Sequence, residues 1–194
     1  MPETGNNPAA SEKTGPGRMI LVVGPSGAGK DTLLAGLHER IAGRSGIHFA
    51  RRAITRSAQA EAEDHDTLTM DDFRRIVESE DMALAWEAHD LGYVIPSRYD
   101  EAIRRGETVI ANGSRRALPK AFQKYRNVTV LLITAPVAVL AERLAERGRE
   151  SREQIEQRLS RANLDVRETD GVVRIDNTGT VEEGVDRIIL ELGL

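Results

Sequence analysis

Aliphatic runs and amphipathic stretches alternate along the 194-residue chain. Positions 19–23 read Met-Ile-Leu-Val-Val, an unbroken apolar run of the kind found in strands buried on both faces of a parallel sheet. After a glycine-rich turn, Leu33, Leu34, Leu37 and Ile41 recur at helical spacing and predict a helix over 31–41. A short strand is predicted over 47–51. Thr69 is a candidate N-cap for a helix whose apolar face carries Phe73, Ile76 and Val77. Residues 97–105 read as a helix closed by Gly106. Further buried strands are predicted over 108–111, 128–133 and 172–175. Pro136 opens a helix carrying Val137, Leu140 and Leu144. Ser151-Arg152-Glu153-Gln154 forms a capping box ahead of Ile155 and Leu159, and Thr180 caps a closing helix with Val185, Ile188 and Leu192.

Strands alternating with helices predict an α/β fold, a parallel sheet flanked by helices. Residues 1–17 hold almost nothing to bury and predict a disordered tail, leaving 18–194 as a single domain. Residues 52–96 are the irregular stretch, with one helix, short apolar pieces and many charges. They read as an inserted lobe that takes the substrate.

Composition narrows the chemistry. The net charge is −4, which argues against a general nucleic-acid binder, since such proteins neutralise phosphates with a basic surface. Cysteine is absent, which excludes disulfides, thiolate nucleophiles and cysteine–zinc sites. No apolar run approaches the roughly 20 residues that span a bilayer. The opening residues lack the apolar core of a secretory signal, so a cytoplasmic location is expected. The sequence carries no signal of oligomeric state.

The strongest motif is Gly24-Pro25-Ser26-Gly27-Ala28-Gly29-Lys30, a GxxxxGK loop between a buried strand and an amphipathic helix. Successive backbone N–H groups converge on phosphate in such a loop, and glycine lets them approach without a Cβ. The helix N-terminus adds partial positive charge. Lys30 supplies a point charge for the β- and γ-phosphates of a bound ATP. The usual Ser or Thr after the lysine, a Mg²⁺ ligand, is Asp31 here, followed by Thr32. Asp31 either faces Mg²⁺, with Thr32 left for the α-phosphate, or serves only the electrostatics of the helix end.

Two arginine-rich regions follow. Arg143, Arg147 and Arg149 precede the capping box at Ser151, with Arg158 and Arg161 on the helix after it. Such residues fit a helical lid over about 140–162 that closes on phosphates and excludes water. On the acceptor side, Arg51, Arg52 and Arg56 follow the second strand, and Asn112, Ser114, Arg115 and Arg116 follow the next. Ligands of parallel sheets gather at the carboxyl ends of the strands, so both groups lie where an anionic acceptor binds. A lone His65 among acids is a weak metal candidate, and Trp86 reads as core.

GPSGAGK, the arginine lid and the chain order resemble the guanylate kinase superfamily, over nearly all of the chain from Met19 onward. Within it the chain is more similar to the ribose 1,5-bisphosphate phosphokinases. The segments that carry this are GPSGAGKD, Arg52 to Arg56, Glu63 to His65 upstream of Phe73, Leu84 to Trp86, Asn112 to Arg115, and Arg147 to Glu150. The guanine-reading pieces of guanylate kinases are poorly matched: Asp66-Thr67-Leu68 stands before Phe73, and Val94-Ile95 follows Tyr93. The resemblance implies transfer of the γ-phosphoryl group of ATP, with Mg²⁺, to a phosphorylated ribose. It places Lys30 and the lid arginines Arg143, Arg147, Arg149 and Arg158 in catalysis, and Arg52, Arg56, Asn112, Ser114 and Arg115 on the acceptor. A nucleoside monophosphate kinase such as guanylate kinase is the first alternative. A non-catalytic guanylate-kinase-like interaction domain is the second, and the intact loop argues against it.

Overall fold

A computed structural model of the protein describes residues 12–56, 65–88, 90–146 and 171–194. In chain order the first half holds β1 (Thr14–Val23), α1 (Lys30–Arg40), β2 (Ile47–Ala50), β3 (Ala53–Ile54), β4 (Asp66–Thr67), α2 (Met70–Glu78), β5 (Met82–Ala88) and β6 (Leu91–Pro96). Then come α3 (Arg98–Arg104), β7 (Thr108–Asn112), a 3-10 turn at Arg115–Ala117, α4 (Leu118–Lys124), β8 (Tyr125–Thr134), α5 (Val137–Ala145), β9 (Val172–Asp176) and α6 (Val181–Leu192).

The central sheet has the order β2-β7-β1-β8-β9, and every pairing in it is parallel. Its middle strand shows why the 19–23 run is apolar throughout. Met19, Leu21 and Val23 enter a core cluster that also holds Ala102, Ile103 and Ala121. Ile20 and Val22 enter the other, with Leu33, Leu37, Val185 and Ile188. The period of two thus sends alternate side chains into two covered faces.

β1 begins at Thr14, not at Met19, so residues 14–17 are strand and not tail. The extension rests on backbone pairing and small size, which carry no hydrophobic signal. Asn127 Nδ2 donates to the Pro16 carbonyl at 2.7 Å, and Gly17 is placed so that a Cβ would lie 2.2 Å from the Glu107 carbonyl. The rest of the expected tail, residues 1–11, lies outside the described residues.

The stretch expected to be irregular holds a second sheet, in the order β4-β3-β6-β5. β5 and β6 form an antiparallel hairpin, and β3 joins β6 antiparallel and β4 parallel. Two of its strands, β3 and β4, are two residues each, and β4 is the polar pair Asp66-Thr67, so neither shows as an apolar run. α2 is capped by Thr69 and Asp72 in a reciprocal capping box and lays Phe73 against Ala85 and Val94. The sheet's opposite face shares the main core, since Leu84, Trp86 and Ile95 pack with Met19 and Leu21.

A buried polar brace adds to that junction. The Tyr125 hydroxyl lies 2.6 Å from Asp100 Oδ1, and Lys124 Nζ lies 2.6 Å from Asp100 Oδ2. Lys124 also donates to the carbonyls of Met82 and Ala83, at 2.7 and 3.0 Å. Burial first, and the neighbouring Asp100 carboxylate second, push the Tyr125 hydroxyl pKa far above its ordinary value, so it stays a neutral donor. The brace ties α3 and the start of β8 to β5, and so fixes the second sheet against the first.

Candidate active site

The phosphate loop spans the turn from β1 into α1. Its conformation depends on glycine at two positions. A Cβ on Gly24 would lie 2.1 Å from the Ile133 carbonyl oxygen. Gly29 has φ +84° and a Cβ there would lie 2.3 Å from Asn177 Nδ2. Lys30 folds back over the loop and donates from Nζ to the carbonyls of Gly24 and Pro25, both at 3.0 Å. The ammonium is thereby held over the concavity where the loop amides would meet a phosphate.

Asn177, just past β9, is a contributor that the sequence reading missed. Its side chain is buried and donates to the Ala28 carbonyl at 2.8 Å, and its backbone N–H donates to Thr134 at 2.8 Å. Arg143, from α5, donates through Nη2 to the Asn177 carbonyl at 3.0 Å, while its Nη1 is buried and unpaired among the described residues. The last strand, the lid-side helix and the phosphate loop thus meet at one asparagine. An isolated Asn after a predicted strand gave no spacing signal by which to find it.

Asp31 stands exposed on the first turn of α1, as does Thr32. Asn112 Nδ2, at the end of β7, donates to Asp31 Oδ1 in a very close contact, and Asn112 Oδ1 is buried with no partner among the described residues. The carboxylate therefore bridges from the loop toward the acceptor side. This is compatible with both expected roles for Asp31 and adds a link that neither included. Among the described residues no group of three or more acidic or histidine side chains is arranged to hold a metal ion by itself. One carboxylate beside a phosphate loop does match the way kinases hold Mg²⁺, through one or two carboxylates and the nucleotide's own phosphates.

A cavity of about 940 Å³ opens from this bridge along β2. Its lining includes Asp31, Asn112, Arg51, Arg52, Arg98 and Tyr99. Of the acceptor residues expected from sequence, Arg52 and Asn112 line it; Arg56, Ser114 and Arg115 do not. Ser114 instead accepts the Arg116 N–H at 3.3 Å and heads the 3-10 turn. Arg116 donates to the Glu87 carbonyl at 3.1 Å, a brace onto β5. The Arg52 guanidinium lies 5.8 Å from the Tyr93 ring centroid, and Tyr93 stacks on Trp86 with centroids 5.3 Å apart. Trp86 is core, as expected. The lid arginines Arg147, Arg149 and Arg158, and the lid beyond residue 146, lie outside the described residues.

The chain is similar to known proteins in sequence and in fold. A family profile described as an AAA domain matches residues 20–164. A ribose 1,5-bisphosphate phosphokinase PhnN from Agrobacterium fabrum is 45% identical over 165 residues, covering 85% of this chain and 90% of that protein. The protein of the same name from Rhodopseudomonas palustris is 49% identical over 158 residues, covering 79% and 81%. Among solved structures, a guanylate kinase from Anaplasma phagocytophilum superposes with a TM-score of 0.63 at 19% identity, covering 93% of this chain and 86% of that one. At that identity the likeness concerns the fold alone.

Proposed function

We infer the activity from family membership and from the site together: the chain belongs to the ribose 1,5-bisphosphate phosphokinases. It is a kinase that transfers the γ-phosphoryl group of ATP to α-D-ribose 1,5-bisphosphate, giving 5-phospho-α-D-ribose 1-diphosphate and ADP. The observation that carries the reading is a single cleft. A phosphate loop with its lysine in place adjoins, through Asp31 and Asn112, a cavity lined with arginines.

The acceptor's nucleophile is an oxygen of its own 1-phosphate, already anionic, so no general base is needed. That oxygen forms a bond to the γ-phosphorus as the bond to the β–γ bridging oxygen breaks, and the electron pair leaves with ADP. The protein's task is to hold two polyanions in line and to offset their charge. The loop amides and Lys30 serve the donor. Arg143 stands beside the loop with one nitrogen that has no partner among the described residues, and Arg147, Arg149 and Arg158 are assigned to the transferring group. Asp31 would help to hold Mg²⁺ together with the ATP phosphates, and the ion would supply positive charge to offset theirs.

A coupled assay with ATP tests the reading, offering ribose 1,5-bisphosphate and guanosine monophosphate in parallel. Turnover of the sugar bisphosphate at a kcat/KM at least about a hundredfold higher is expected. Preference for the nucleotide would overturn it.

A further inference from the structure

We propose that Arg98, held on the Tyr99 ring at the wall of the cavity, seats the acceptor phosphate that does not react. This rests on the reading above, since only a bisphosphorylated sugar needs two anion seats. A ribose 1,5-bisphosphate has one phosphate that must reach the donor loop. The other, on C5, lies across the furanose ring and needs its own cationic partners.

The cavity has such an arrangement. Asp31 and Asn112, beside the loop, and Arg51, Arg52 and Arg98 all line it. The group that organises the wall around Arg98 is Tyr99. Its hydroxyl is held between elements: it accepts the Arg51 backbone N–H at 2.9 Å, and the carbonyl of Phe49 lies 3.4 Å away. The end of β2 is thereby pinned to the start of α3. Arg98 lies over the same ring, its guanidinium carbon 4.9 Å from the centroid, and Nη2 is 3.4 Å from the hydroxyl. A guanidinium stacked on a fixed ring is held in place while its N–H edge stays available.

Neighbouring cations are committed elsewhere. Arg51 Nε donates to Asp66 at 2.8 Å, and Arg105 chelates Glu107 at 2.8 and 3.1 Å. Arg98 forms no ion pair with any described residue, although it is exposed on the cavity wall. A guanidinium on a cavity wall, with no carboxylate partner among the described residues, suits a phosphate ligand. Sequence reading passed over Arg98 because it sits two residues past a proline, away from both arginine clusters.

The test measures binding by calorimetry with a non-hydrolysable ATP analogue bound. The ligands are ribose 1,5-bisphosphate and ribose 5-phosphate, which keeps only the C5 phosphate. Arg98→Ala is expected to weaken both ligands by about tenfold, the order of one charge-assisted contact, with Arg98→Lys recovering part. Asn112→Ala, beside Asp31 and the loop, is expected to weaken the bisphosphate and to leave ribose 5-phosphate within twofold. The proposal is overturned if Arg98→Ala leaves ribose 5-phosphate within twofold, or if Asn112→Ala weakens both ligands alike. Failure of the function itself reads differently: the wild-type protein would then bind neither sugar phosphate.

Discussion

The donor end and the acceptor end of the cleft are built by different means. The donor end is backbone. Loop amides, a helix terminus and one lysine form it within a few consecutive residues, and two glycines admit the carbonyl of Ile133 and the amide of Asn177. The acceptor end is side chain. Arg51 and Arg52 follow β2, Arg98 and Tyr99 open α3, Asn112 ends β7, and Asp31 comes from α1. A backbone site offers its amides whatever most of its side chains are, so it serves any nucleotide phosphate. A side-chain site can be changed one residue at a time, and on the function proposed above the choice of acceptor would rest there.

The largest effect that can break this contrast comes from the one donor-end side chain that matters. Lys30→Ala is expected to lower kcat by about a thousandfold, the upper range for loss of a preorganised charge at developing transition-state charge. The fold should persist, because the ammonium donates to carbonyls of the loop itself and the lysine sits at the surface of the site. Single-turnover kinetics and a thermal melt check this. Retention of more than about a tenth of wild-type kcat would show that the backbone alone suffices.

Asp31 stands where the two ends meet, and its substitution sharpens the boundary. Asp31→Asn keeps an oxygen for the Asn112 amide but removes the charge. If the carboxylate serves Mg²⁺, the concentration giving half-maximal activity should rise about tenfold, as expected on losing an anionic oxygen ligand. Asp31→Ser, which restores the common loop chemistry, should come closer to wild type. Identical Mg²⁺ titrations for Asn, Ser and wild type would assign Asp31 to the bridge alone.

A third substitution reaches the acceptor end through packing alone. A Cβ on Gly92 would lie 2.6 Å from the Phe73 ring, so Gly92→Ala forces α2 away from the second sheet. Overpacking of this kind costs about 1–3 kcal/mol. The KM for the sugar bisphosphate should rise several-fold while the KM for ATP stays within twofold. Equal shifts in both constants would mean that the two ends are mechanically one.

The same contrast explains what could be read from sequence. The loop was legible because its chemistry is local: glycines, lysine, strand and helix lie within one short window. The parallel sheet was legible because β1 buries both faces and so shows an unbroken apolar run. The second sheet was not, since β3 and β4 are two residues each and take their stability from partners elsewhere in the chain. Asn177 was missed for a related reason, since it acts through a contact with Ala28, far off in sequence. Arg98 was missed because it stands apart from both arginine clusters in sequence and meets Arg51 and Arg52 only in the lining of the cavity. Ser114 has a residue type that suits a ligand and a cap equally, and the structure shows its use as a cap.

The smallest expected effect concerns the edge strand that carries the acceptor arginines. β2 lies at the border of the central sheet, and its His48 Nε2 meets Glu107 Oε2 at 2.6 Å beside β7. Hydrogen bonding from Arg105, then from His48, draws the Glu107 carboxyl down to about 2 from its ordinary 4.5. A depressed carboxyl pKa means the folded state holds the anion more favourably than the unfolded state does. The resulting stability is present in full above about pH 4.5 and is lost as pH falls toward 2. Solvent reaches these groups, so the effect is modest. Glu107→Gln should therefore melt a few degrees below wild type at pH 6, and the two curves should converge as pH approaches 2. Parallel curves across that window would mean that Glu107 does not hold the edge strand, and that the acceptor end depends on the Tyr99 anchor alone.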